Sequence, residues 1–233
     1  MSIIPYGKHF IDNKDIDEVI KVLKSQNLTQ GPIIDLFEKN IANYVGSKYA
    51  VAVSSCTAGL HIASLAAGLD QNNLLLTSPI SFVSTSNVAF YCNSKPIFSD
   101  IEKNSINLCP QKLEEKFKKY NNIKIVIPVH IAGKSSNMAR ISQICKNYSN
   151  PVLIEDAAHA LGGKYEDGSM VGNCKYSDMT VFSLHPVKII AAGEGGLITT
   201  NNEILYKKLI KLRSHGINKK DDFFITEKNS KTN

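Results

Sequence analysis

Ser183-Leu184-His185-Pro186-Val187-Lys188, running into Gly193-Glu194-Gly195-Gly196, is the stretch on which the reading of this chain turns. The apolar run 179–182 leads into it and the run 196–200 leaves it, each with the length and composition of a strand. Lys188 therefore follows a strand end. On that ground alone it reads as an ordinary solvated lysine. A second strand end changes its weight: Val152-Leu153-Ile154-Glu155-Asp156-Ala157-Ala158-His159 closes an apolar run with two adjacent carboxylates and then a histidine.

Outward from these two stretches, strands and helices alternate. Strands are predicted at 50–53, 74–77, 96–99, 125–129, 152–155, 179–182 and 196–200, and helices at 57–68, 82–91, 110–120 and 136–147. Continuous apolar strands such as Ile125-Val126-Ile127, alternating with helices, predict an α/β fold: a mainly parallel seven-stranded sheet with helices on both faces. Before the first strand, Asp12 is placed to cap a helix with Ile16, Val19, Ile20 and Leu23 at helical spacing. Pro32 opens a second helix, with Ile33, Leu36, Phe37 and Ile41 expected inward and Gly46 ending it. The polar turn between them holds Gln26, Asn27, Leu28 and Thr29. Ligands of open α/β sheets collect at the carboxyl ends of strands, and Thr57, Phe82, Asp156 and Ser183 all fall at such ends.

That grouping has a chemical reading. A lysine able to bond an aldehyde, an acid beside a pyridine nitrogen, and hydroxyls with helix-start amides for a phosphate are what pyridoxal phosphate requires. Each residue also has a plainer reading. Ser54-Ser55-Cys56-Thr57-Ala58-Gly59 could be ordinary helix capping, Phe82 a core aromatic, Asp156 a helix cap with Glu155 as a rival carboxylate, and His159 a surface histidine.

Taken in order, these segments resemble the DegT/DnrJ/StrS family of sugar-nucleotide aminotransferases, which are fold-type-I pyridoxal phosphate enzymes. The resemblance runs from Tyr6 through Gln26-Asn27-Leu28-Thr29-Gln30-Gly31, Ser55-Cys56-Thr57-Ala58, Ser78-Pro79-Ile80-Ser81-Phe82-Val83 and His130-Ile131-Ala132-Gly133-Lys134 to Arg213-Ser214-His215-Gly216. It implies that Lys188 is the catalytic lysine, that Asp156 is the partner of the ring nitrogen and that Phe82 stacks on the ring. It further implies that His159 touches the ring hydroxyl edge, and that Cys56, Thr57, Ala58 and Ser183 hold the phosphate. Cys56 stands where the family often has glycine. Tyr6, Gln26, Asn27, Leu28 and Thr29 match segments that border the sugar-nucleotide. His185 matches no family role and reads as structural.

The resemblance also implies a reaction: an amino group passes from an amino acid, L-glutamate in the most specific version, to a keto-sugar nucleotide. The sharpest form is amination at C4 of a UDP-linked 4-keto-6-deoxy-hexosamine on the way to pseudaminic acid. The alternatives are a different keto-sugar nucleotide or a catalytically incompetent remnant that binds the cofactor. Residues 1–216 are expected to form the cofactor-binding large domain with an N-terminal helical arm, and residues 217–233 a polar tail. The family's smaller C-terminal domain, and an Asn-x-Arg segment that reaches a neighbouring subunit in that family, are expected to be absent from these residues. A homodimer is expected of the full-length form.

Composition narrows the rest. With 233 residues, 43% of them hydrophobic, the chain can bury a sizeable core as one large domain. The net charge of +6 is spread over Lys116, Lys118, Lys119, Lys207, Lys208, Lys211 and Arg213, expected on solvated helix faces, and lacks the aromatic-interleaved basic patch of a nucleic-acid binder. No Gly-x-Gly-x-x-Gly follows the first strand, which argues against a dinucleotide fold. The five cysteines lack metal-ligand spacing and read as free core thiols in a reducing compartment. Neither a secretory leader nor a membrane span is visible: the apolar residues 49–69 are broken by Ser54, Ser55, Thr57 and His61. A cytoplasmic location is expected.

Overall fold

The structure is a computed structural model and describes residues 7–217. Tyr6 and residues 218–233, most of the expected tail, lie outside the described residues. Helices α1 (Asn13–Leu23) and α2 (Pro32–Val45) precede strand β1 (Tyr49–Val53). The chain then runs through α3 (Cys56–Ala66), β2 (Leu74–Thr77), α4 (Ser84–Tyr91), β3 (Lys95–Phe98), α5 (Pro110–Lys119), β4 (Ile123–Ile127), α6 (Met138–Asn147), β5 (Val152–Asp156), β6 (Met179–Ser183), β7 (Gly196–Thr200) and α7 (Glu203–Arg213).

The seven strands form one sheet in the order β1-β7-β6-β5-β4-β2-β3. β2 to β6 run parallel, and β7 runs antiparallel to both β1 and β6. Alternate strand residues feed two separate cores. Leu75, Ile125, Ile127, Ile154, Val181 and Ile198 pack with Leu60 and Ala63 of α3, Val88 of α4 and Leu209 of α7. Their neighbours Leu76, Val126, Leu153, Phe182 and Leu197 pack with Val45 of α2, Leu113 of α5 and Ile141 of α6. Both faces are thus covered, which is why these strands are apolar throughout rather than alternating. Each fully buried Leu, Ile or Phe of this kind contributes roughly 1.5–3 kcal/mol.

The helix ends follow local chemistry. Asp12 accepts from the Lys14 and Asp15 amides at 2.8 and 3.1 Å, and the Asp15 carboxylate accepts from the Asp12 amide at 3.0 Å. Pro32 starts α2, and Gly46 ends it with φ of 82°.

Two expectations fail here. Ile33 and Leu36 are each 52% exposed rather than inward. The side of α2 that faces the sheet carries Glu38 instead, buried beside Ala42 and Val45. Arg213 is likewise not on a solvated face: its guanidinium pairs with Glu38 and reaches the Ala52 carbonyl at 3.3 Å. Glu38 in turn accepts from the Ala52 amide at 2.7 Å. β1 is an edge strand, and this charge pair occupies both backbone groups of Ala52 on its open side. Lys208 stays exposed as expected, with its Nζ donating to the Ala66 carbonyl at 3.1 Å. Among the described residues no helix is long and apolar enough to cross a membrane.

Candidate active site

The parallel arrangement brings the carboxyl ends of β5 and β6 side by side, with Asp156 opposite Val181. Pleating sends Glu155 and Asp156 to opposite faces, and this separates the two rival carboxylates. Glu155 enters a closed network. It accepts from Tyr165 Oη at 2.8 and 2.7 Å, Ser177 Oγ at 2.5 Å and Thr180 Oγ1 at 3.0 Å, and meets His130 Nε2 at 2.7 Å. His130 Nδ1 accepts from the Ser136 amide at 3.0 Å, so its ring proton sits on Nε2, toward Glu155. Burial alone would raise the Glu155 pKa, but the bonds from His130, Ser177 and Tyr165 outweigh it and hold the carboxyl below its usual range. Burial and the adjacent Glu155 charge push the Tyr165 phenol up. Glu155 is a sealed structural group.

Asp156, 3% exposed, faces the other way. Thr85 Oγ1 donates to its Oδ2 at 2.7 Å and the Ala158 amide to its Oδ1 at 3.2 Å. Its backbone is fixed as well, since its amide bonds to the Pro128 carbonyl at 2.9 Å and its carbonyl accepts from the His130 amide at 3.0 Å.

Lys188 lies in the connection 184–195 between β6 and β7. Because these strands are antiparallel, the connection stays at one end of the sheet. It is tied at both ends, by Leu184 N to Gly195 O and Ala192 N to Leu184 O, each 2.9 Å. His185 is exposed; its carbonyl accepts from the Lys188 amide at 2.8 Å and its Nδ1 from the Val187 amide at 3.4 Å. Lys188 Nζ lies 2.8 Å from His159 Nε2. Burial first, then the Lys188 charge, lower the His159 pKa, with Asp156 opposing. The imidazole is therefore neutral near pH 7 and can accept from an ammonium. Gly133, at φ of 84°, abuts the His159 carbonyl so closely that an added Cβ would sit 2.8 Å from it.

The start of α3 forms the third wall. Ser55 Oγ accepts from the Ala58 amide at 3.1 Å, so Ser55 caps the helix and the Ala58 amide is already engaged. Helix geometry leaves the Cys56 and Thr57 amides without intrahelical partners. Gly196 allows the close approach of β7, for an added Cβ would meet Ser55 C at 2.5 Å and Cys56 N at 2.7 Å. The half-buried Cys56 thiol is pushed well above its usual pKa by burial and by Asp156, with Lys188 opposing, so it remains a thiol beside both groups. Ser183, buried at the end of β6, accepts from the His185 amide at 3.3 Å.

The structure thus gathers Cys56, Asp156, His159 and Lys188 through direct bonds or mutual electrostatics. Thr57, Ala58 and Ser183 are on the adjoining backbone. Phe82, 68% exposed, stands before α4, whose second residue is Thr85. Gln26, Asn27, Leu28 and Thr29 form the exposed turn between α1 and α2, and no hydrogen bond among the described residues joins them to this cluster. Sequence reasoning missed Thr85, which reads as one hydroxyl among several at a helix start. It also missed the His130–Glu155 network, although strand alternation would have separated Glu155 from Asp156.

The cluster around Lys188 thus lies at the carboxyl end of an α/β sheet, and the comparisons bear on the family and the fold. The chain belongs to the DegT/DnrJ/EryC1/StrS aminotransferase family, matched over residues 9–232. It is 41% identical over 219 residues to a UDP-4-amino-4,6-dideoxy-N-acetyl-beta-L-altrosamine transaminase of Campylobacter jejuni, covering 94% of this chain and 57% of the relative. Among solved structures it is similar to PseC of Helicobacter pylori, an aminotransferase involved in the biosynthesis of pseudoaminic acid. That match has a TM-score of 0.84 and 34% identity, over 94% of this chain and 58% of that one. A putative sugar aminotransferase of Streptococcus pneumoniae in its PLP form gives a TM-score of 0.84 at 26% identity, over 91% of this chain and 58% of that one. The chain spans a little over half the length of the curated relatives it matches.

Proposed function

We propose that this chain carries the cofactor site of a pyridoxal phosphate-dependent aminotransferase. The enzyme moves an amino group from an amino acid, L-glutamate in the specific form of this reading, to C4 of a UDP-linked 4-keto-6-deoxy-hexosamine. The observation that carries it is the contact of Lys188 Nζ with a neutral His159, beside the buried carboxylate of Asp156. The 41% identical C. jejuni relative supports the nucleotide-sugar version.

The residues fit the cofactor part by part. The Cys56 and Thr57 amides with the Thr57 and Ser183 hydroxyls would hold the phosphate, and Cys56, in place of glycine, adds only an uncharged thiol. Asp156 keeps lone pairs for a ring N–H, and Phe82 offers a flat apolar face. When bound, pyridoxal phosphate supplies an aldehyde and an electron-withdrawing ring. Lys188 must lose a proton before its amine can attack a carbonyl, and His159 Nε2 is placed to orient that amine by a hydrogen bond at 2.8 Å. Once the lysine is free again, the same amine can carry a proton from the α-carbon of the donor and return one to a neighbouring carbon. With the group bound, the Asp156 carboxylate would lie against the ring nitrogen and favour a proton there.

The test is turnover of glutamate and the UDP-4-keto-hexosamine by the full-length form with added pyridoxal phosphate, with Lys188→Ala as control and the product read by NMR. The expected product carries nitrogen at C4, and the control gives none. Nitrogen at C3, reaction only with a dTDP-sugar, or an active Lys188→Ala variant would overturn the corresponding part of the reading.

A further inference from the structure

Thr85 has no part in the proton transfers above, yet its side chain is bonded to the site. Buried hydroxyls near a helix start usually return to their own turn. Thr85, 0% exposed, does otherwise: its amide bonds to the Phe82 carbonyl at 3.0 Å, while its hydroxyl crosses 71 residues of sequence to Asp156 Oδ2 at 2.7 Å. An ionised carboxylate has no hydrogen to give, so Thr85 is the donor and its single proton is committed. With the Ala158 amide on Oδ1, each oxygen of the carboxylate accepts one hydrogen bond, and the pair opposes rotation about its Cβ–Cγ bond. The same turn carries Phe82, so one segment before and within α4 sets both the flat wall and the orientation of the acid.

We propose that Thr85 is a positioning residue for the cofactor's ring nitrogen, acting through Asp156. The inference rests on the function proposed above. Without the hydroxyl the carboxylate swings, and its remaining lone pairs no longer point steadily at one N–H. The proton on the ring nitrogen is then held less firmly. A serine keeps the donor; valine keeps the shape and removes it; alanine removes both.

The experiment loads the protein with ring-nitrogen-15 pyridoxal phosphate and follows that nitrogen by NMR as pH is raised. Wild type is compared with Thr85→Ser, Thr85→Val, Thr85→Ala and Asp156→Asn. The expected result is a serine variant that titrates with wild type. The valine and alanine variants should lose the ring proton about one pH unit earlier, a tenfold weaker hold, in the same direction as Asp156→Asn and by less. Far-UV circular dichroism identifies any variant that fails to fold, and alanine carries the comparison if valine does not fold. Valine and alanine variants that titrate as wild type, or a serine variant that shifts with them, would overturn the role of Thr85 alone. A wild-type protein in which borohydride traps no cofactor on Lys188 would instead overturn the function reading, and this inference with it.

Discussion

Lys188 Nζ and His159 Nε2 approach to 2.8 Å although 29 residues separate them in sequence. The lysine arrives on a loop between antiparallel strands and the histidine just past the end of β5, so the contact depends on the β5–β6 pairing. Asp156 opposes the lowering of the His159 pKa but does not outweigh burial and the lysine charge.

The His159 ring should therefore titrate below its usual value of about 6.5. Removing the lysine charge in Lys188→Ala should bring the midpoint back up without fully restoring it, because burial remains. The linkage follows in sign. A histidine that binds its proton more weakly in the folded protein contributes stability that is fully present above about pH 6.5 and lost as pH falls through the lower folded value. Histidine NMR titrations of the two proteins check this, and an unchanged midpoint in the variant would contradict it.

The Glu155 network makes a separate prediction about stability. His130→Phe removes one hydrogen-bond donor from a fully buried carboxylate, and the loss should be about 1.5–3 kcal/mol in urea unfolding. Because the Glu155 pKa is held low in the folded state, the stability the network supplies is present above the ordinary glutamate value and fades as pH falls through the folded one. The stability difference between wild type and variant should accordingly narrow in acid.

At the sheet edge, Arg213→Ala should leave the buried Glu38 carboxylate without its cation and the Ala52 carbonyl without one donor. With Arg213 partly exposed, a loss of about 2–3 kcal/mol is expected. The double change Glu38→Gln with Arg213→Ala should cost less than the sum of the single changes, and a thermodynamic cycle measures the difference. Strict additivity would show that the pair does not act together.

Much of this was legible in the residues themselves. Strands 74–77 and 196–200 were bounded correctly, because each is a short apolar run between turn residues. Asp12, Pro32 and Gly46 act as their chemistry dictates. Strand ends also gave the neighbourhood of Asp156, Ser183 and Lys188, since sheet order fixes where ends collect. What stayed hidden depends on distant partners. Leu36 and Glu38 lie on one amphipathic helix, and hydrophobicity alone turns the leucine inward. Only Arg213, 175 residues away, makes the glutamate the buried one. Thr85 was hidden for the same reason, its partner being another element's carboxylate. The thiols divide along that line too: Cys92, Cys145 and Cys174 are core residues as expected, whereas Cys56 and Cys109 are half-buried at helix starts.

β7 joins two parts of this arrangement. It lies between β1 and β6, its first residue is wedged against the start of α3, and the loop carrying Lys188 ends on it. The lysine and the start of α3 are therefore hung from a single five-residue segment, paired on both sides within the sheet. Local opening of that segment would release both at once, so the two halves of the site share one opening equilibrium. Hydrogen exchange at residues 196–200 becomes a direct gauge of how often the site comes apart, readable without any substrate.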